Sequence, residues 1–111
     1  MITIDKLREY GADVDEGLER CMGREDFYLM LVGKAAGDKR LEQLEQQLAE
    51  KDLDSAFETA HALKGLTANL SLTPLTAPVS EMTELLRART DTDYSVLLSR
   101  AKEELEKLRG L

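Results

Sequence analysis

Leucines recur at 41, 44 and 48, with Glu42, Glu45, Gln46 and Lys51 filling the other side. This spacing makes a helix with one apolar face turned to a core. The same period continues along the chain, and no segment alternates apolar and polar residues for long enough to suggest a strand. The pattern therefore predicts an all-α protein. A short helix follows Thr3 and stops at Gly11, and a second runs from Val14 to Met22 and stops at Gly23, because glycine takes the left-handed backbone that ends helices. "REDFYLMLVGKAAG" predicts a more apolar helix over 25–36, closed by Gly37, and the leucine-patterned helix begins at Asp38. Asp52 is the expected N-cap of a helix over Leu53–Leu70. "SLTPLTAP" interrupts it, since Pro74 and Pro78 lack a donor N–H and are tolerated only near a helix start. The next helix carries Val79, Met82, Leu85 and Leu86 inward and ends near Arg89; "TDTD" is a turn, and Leu97, Ala101, Leu105 and Leu108 form the stripe of the last helix.

Short joints at 50–52, 71–76 and 90–93 make successive helices antiparallel neighbours. The expected architecture is an antiparallel up-down-up-down four-helix bundle with additional short N-terminal helices. The chain reads as a single domain over 1–111, with an N-terminal helical extension at 1–23 and the bundle in 24–111.

Composition narrows the function classes. With 111 residues, 42% hydrophobic and 33% charged, the chain is long enough to bury a real core and is typical of a globular protein. The net charge of -7 disfavours nucleic acid and anionic membrane, leaving proteins as the expected partners. The longest apolar run, "FYLMLVG", falls far short of the ~20 residues that cross a bilayer. "MITIDKLREYG" does not read as a secretory signal, and the single Cys21 cannot form an internal disulfide, so the expected compartment is the cytoplasm.

The only histidine, His61, lies in "AHALKG", four residues before a glycine inside the predicted helix. At about 100° per residue, Leu53, Ala56, Ala60, Leu63 and Thr67 cluster on one side, with Leu70 about opposite the histidine. His61 lies outside that arc, with Asp54, Gly65 and Ala68 within about 40° of it, so the imidazole faces solvent among residues of small or short side chain. Gly65 costs the helix about 1 kcal/mol relative to alanine and does not point at the core, so the space it leaves has a use outside the core. Lys64 is close enough on the helix surface to lie beside an anionic group on the imidazole.

"HALKGLTANLSLTPL" at 61–75 resembles the signature of histidine-containing phosphotransfer (HPt) domains. The resemblance rests on His61, Leu63, Lys64, Gly65, the small Thr67 and Ala68, and Leu70; the glycine usual one residue later is Ser71 here. It covers the chain from about residue 24 to the end. It implies a stand-alone phosphorelay intermediate, in which His61 accepts a phosphoryl group from a response-regulator receiver aspartate, and Lys64 stabilises its charge. It further implies docking of the receiver over Gly65, Ala68, Asp54 and Phe57 by a monomer, with a hybrid sensor histidine kinase as a further partner. No cofactor is expected on this chain, Mg²⁺ being supplied by the receiver. The chemistry suits an exposed imidazole, whose neutral form has a ring nitrogen lone pair for attack on phosphorus. An independent kinase site is not expected, since no phosphate-binding glycine loop is present.

Three other readings compete. "ETAH" has the Glu-x-x-His spacing of di-iron bundles, but those need the motif on two helices, turned inward. Cys21 and His61 as a thiol–base pair lack any third orienting group. The stronger alternative is a helical protein-interaction module that is never phosphorylated and docks by its surface alone.

Overall fold

The computed structural model describes residues 1–111 as seven helices: α1 (Ile4–Tyr10), α2 (Val14–Arg20), α3 (Glu25–Ala36), α4 (Arg40–Ala49), α5 (Leu53–Asn69), α6 (Thr73–Arg87) and α7 (Ser95–Arg109). Helices α4 to α7 form the bundle: α5 packs between α4 and α6, α6 packs on α7, and α7 closes back on α4. The all-α antiparallel four-helix bundle with short N-terminal helices expected from the periodicity is the observed fold. No helix is long and apolar enough to cross a membrane.

A single cluster of 23 buried hydrophobic residues includes Leu7, Val14 and Tyr28 together with Leu44, Leu63, Met82 and Leu108, so the N-terminal helices share the bundle's core. They are also hydrogen-bonded to one end of it, where α5 turns into α6 and α7 finishes. Tyr28 Oη donates to the Leu70 carbonyl at 2.8 Å, and the Asp13 backbone N–H donates to the Ser71 carbonyl at 2.9 Å. Tyr10 Oη donates to Glu104 O at 3.2 Å, and Arg109 Nε donates to Ala36 O at 2.6 Å.

The helix starts follow capping chemistry. Thr3, Asp13 and Asp52 each accept a first-turn backbone N–H, from Lys6, Glu16 and Ser55 respectively, all at 3.2 Å. Several boundaries differ from the sequence reading. Helix α2 ends at Arg20 because Met22 and Gly23 are both left-handed, with φ of 57° and 75°. Helix α4 begins at Arg40, and Asp38 stays outside it, its carboxylate accepting the Arg40 N–H at 2.8 Å. Helix α6 starts at Thr73 rather than after the prolines, so the joint is three residues, Leu70 to Leu72. Pro74 sits in the first turn, where no intrahelical donor is lost, and only Pro78, whose ring is buried, forfeits a helical bond. Helix α6 ends at Arg87, with Arg89 left-handed at φ 53°.

Ser71 follows the same logic. Its φ of 56° is the left-handed conformation that favours glycine, and the Ser71 and Leu72 N–H groups donate back to the Ala68 and Thr67 carbonyls at 3.0 Å each. The helix therefore ends as a glycine would end it, with a hydroxyl added at the cap.

Candidate functional site

Helix α5 positions the site. It buries Ala56, Ala60, Leu63 and Thr67, with Leu70 just past its end, and leaves His61 exposed on the opposite side. Leu53, expected on the buried arc, is half-buried at the helix start. Thr67 is accommodated inside by donating its hydroxyl to the Leu63 carbonyl at 3.0 Å, so no buried polar atom is stranded there. Because the opposite face of α5 is packed on the core, the His61 backbone is held on the outer side of the helix.

The sequence-predicted residues lie along α5 on either side of this imidazole, and one of them touches its ring. Phe57, one turn before it, stacks on the His61 ring with centroids 5.6 Å apart and an interplanar angle of 22°. Asp54 is exposed and accepts a hydrogen bond from Arg89 Nε at 2.6 Å. On the other side, a Cβ added at Gly65 would meet nothing within 4 Å, so the surface there is open. Ala68, half-buried, continues the low surface toward the end of the helix.

Lys64 is half-buried, and its ammonium lies 3.7 Å from Glu84 Oε1 on α6. At that length, and with Glu84 half-exposed, the pair is weak, about 0–1 kcal/mol, and the flexible lysine can exchange it for a stronger anion nearby. Glu84 itself is held below the usual carboxylate range, first by the hydrogen bond from Arg87 Nε at 3.0 Å and that residue's charge, with Lys64 contributing less. The two acidic groups beside the site, Asp54 and Glu84, are thus each engaged by a cation.

Arg87 and Arg89 are not legible as site residues in the sequence. Their guanidinium carbons lie 5.1 and 4.8 Å from the Phe57 ring centroid, close enough for cation–π attraction. Positive charge at the end of α6 is thereby brought to the aromatic ring that stacks on the histidine. The only sequence signal is "RAR" at 87–89 in a chain of net charge -7, and nothing in the α5 periodicity connects it with His61. Conversely, Glu58 and His61 do not form an inward pair, since both are exposed. Cys21 is a buried thiol, not exposed beside the imidazole.

A family model, Hpt domain, matches residues 34–111, more than half of the chain. The chain belongs to the Hpt domain family. No curated protein and no solved structure matches it in the corresponding comparisons. Hpt domains are phosphocarrier modules of two-component signalling, and a phosphotransfer role of that general kind follows for this one. The matched region begins within α3, so α1, α2 and most of α3 lie outside the part of this Hpt domain that the family model describes.

Proposed function

We propose that His61 is the phosphoacceptor of a phosphorelay, taking a phosphoryl group from the aspartyl phosphate of a response-regulator receiver and passing it on to another such aspartate. A neutral ring nitrogen attacks phosphorus; the N–P bond forms as the P–O bond to the aspartate breaks, and the carboxylate leaves with the electron pair. Such transfers depend chiefly on alignment and charge stabilisation, which is why a nucleophile on a rigid helix is sufficient equipment on this side. The receiver brings the Mg²⁺ and the remaining catalytic groups. Lys64 supplies a cation that moves from Glu84 to the phosphoryl oxygens, and the open surface over Gly65 and Ala68, flanked by Asp54 and Phe57, admits the receiver's loops. The domain works as a monomer in the cytoplasm, and a hybrid sensor kinase is a natural source of the receiver.

The observation that carries this reading is the exposed His61 beside the open surface at Gly65 in an Hpt domain. The test is to incubate the protein with phosphorylated receiver domains and measure acid-labile, base-stable label. Wild type should take up label and His61→Gln none. Label retained by His61→Gln sinks the reading, and receiver binding without any label on wild type identifies a docking module instead.

A further inference from the structure

We propose that Arg20, on α2, is a receiver-docking residue that presents a fixed guanidinium to an acidic group on the receiver seated over His61, and so helps select which receivers are accepted. The proposal rests on the phosphotransfer reading above, and it concerns a residue outside the region that matches the Hpt family.

Ala68 is seven residues after His61, hence on the same side of α5 and about 10 Å further along its axis. Its carbonyl accepts a hydrogen bond from Arg20 Nη1, at the end of α5 where a cation complements the helix dipole. Arg20 Nη2 lies 3.3 Å from Glu16 Oε1, and the same oxygen accepts the Ser71 hydroxyl at 2.8 Å. The hydroxyl that replaces the family's usual glycine at the α5 cap is therefore the anchor of a chain running Ser71, Glu16, Arg20, Ala68. Ser71 is buried, whereas the Arg20 side chain keeps 47% of its surface in solvent.

This arrangement does little for folding, because exposed ion pairs contribute about 0–1 kcal/mol. What it does achieve is order: a long side chain held by two helices has less freedom left to lose when a partner binds. Arg20 borders a groove of about 360 Å³ whose other walls include Ala68, Thr73, Thr76, Ala77 and Ser80, all short side chains. Ala77 and Ser80 also line the neighbouring groove along α6 that reaches Glu84, the partner of Lys64. The two grooves thus run on from Arg20 along α6 to Glu84, whose partner Lys64 lies three residues after His61.

The reaction at His61 fixes the occupant, since the receiver that delivers the phosphoryl group has to sit over the imidazole and the surface beside it. Lys64, Arg87 and Arg89 are already paired there with Glu84 and Asp54, as Arg20 is with Glu16, so the patch is a set of ion pairs and not a net positive field. With 47% of its side chain in solvent, Arg20 has N–H donors left for an acidic group on the receiver, and contacts at the edge of such an interface govern encounter and partner choice.

The experiment measures phosphoryl transfer from a phosphorylated receiver as a function of receiver concentration. Arg20→Ala should raise the half-saturating concentration about five- to tenfold and Arg20→Glu more, with the limiting transfer rate unchanged and the rise differing among receivers. Half-saturation unchanged in both variants, while His61→Gln abolishes transfer, overturns this inference and leaves the phosphotransfer reading standing; transfer surviving in His61→Gln sinks both. A measurement on the wild type guards against a misfolded variant: the Arg20 Nε–H resonance should shift on adding receiver in step with the Gly65 amide. A Gly65 amide that moves while Arg20 stays put also overturns it.

Discussion

Gly17 and Gly65 both lie inside α-helices, and their surroundings are opposite. A Cβ at Gly17 would fall 2.6 Å from Cε1 and Cζ of Tyr28, a fully buried ring whose hydroxyl is tied to the Leu70 carbonyl, so the close approach of α2 to α3 accounts for that glycine. A Cβ at Gly65 would meet nothing, and no contact within the protein accounts for that one. A helical glycine carries a penalty of about 1 kcal/mol, and on the proposed reading what offsets it at Gly65 is room for the receiver's approach. Openness alone is not enough, because Gly33 in α3 is equally open. What distinguishes Gly65 is its place one turn after the only histidine.

The two glycines should therefore respond with opposite signs. Gly65→Leu should slow transfer from a phosphorylated receiver by about 100-fold, the scale of a misplaced reacting pair, while urea unfolding shows a gain of about 0.5–1 kcal/mol from the better helix former. Transfer at the wild-type rate would remove the steric account of this residue. Gly17→Ala should lose about 1–3 kcal/mol in the same unfolding experiment, since the added methyl has to displace a buried aromatic ring. A neutral or stabilising result would mean that α2 shifts away at little cost.

The packed side of the comparison has a pH signature. Burial pushes the Tyr28 phenol up to about 12, with the charges of Cys21 and Asp13 adding to the shift. An acid whose folded pKa is raised keeps its full stabilising effect below the unfolded value near ~10 and loses it as pH climbs to the folded value. Stability should accordingly fall between pH ~10 and about 12, and Tyr28→Phe, less stable at neutral pH for want of the Leu70 bond, should show a shallower alkaline loss in thermal melts. An identical alkaline slope in the variant would place the titration elsewhere. On the open side, Lys64→Ala should slow transfer about fivefold, the scale of a half-exposed charge, and Gly33→Leu should leave the transfer rate unchanged. A loss from Lys64→Ala as large as that from His61→Gln would give the lysine a deeper role than charge stabilisation.

The parts of the molecule governed by the 3.6-residue period are legible in the sequence. The inward set Ala56, Ala60, Leu63 and Thr67, and the outward His61, follow from angles along one helix. Where prolines and caps compete with periodicity, the boundaries differ: α6 starts at Thr73 because a proline in the first turn is harmless and a single lost bond at Pro78 is offset by burying its ring. Contacts between distant helices leave no trace in the pattern. Lys64 finds Glu84, Phe57 gathers Arg87 and Arg89, and Ser71 reaches Glu16, each across a separation that no periodicity reports. Ser71 is instructive, because its departure from the usual glycine is visible in the sequence, but the hydroxyl's partner on α2 is not.

The central claim is that a phosphoryl group lands on His61. Tandem mass spectrometry of the protein under alkaline conditions, directly after mixing with a phosphorylated receiver, locates the modification. The account predicts a single phosphoryl group on the peptide containing His61, decaying as fresh unphosphorylated receiver is added. A phosphoryl group found on any other side chain, or none found while the receiver loses its own only to water, would contradict it.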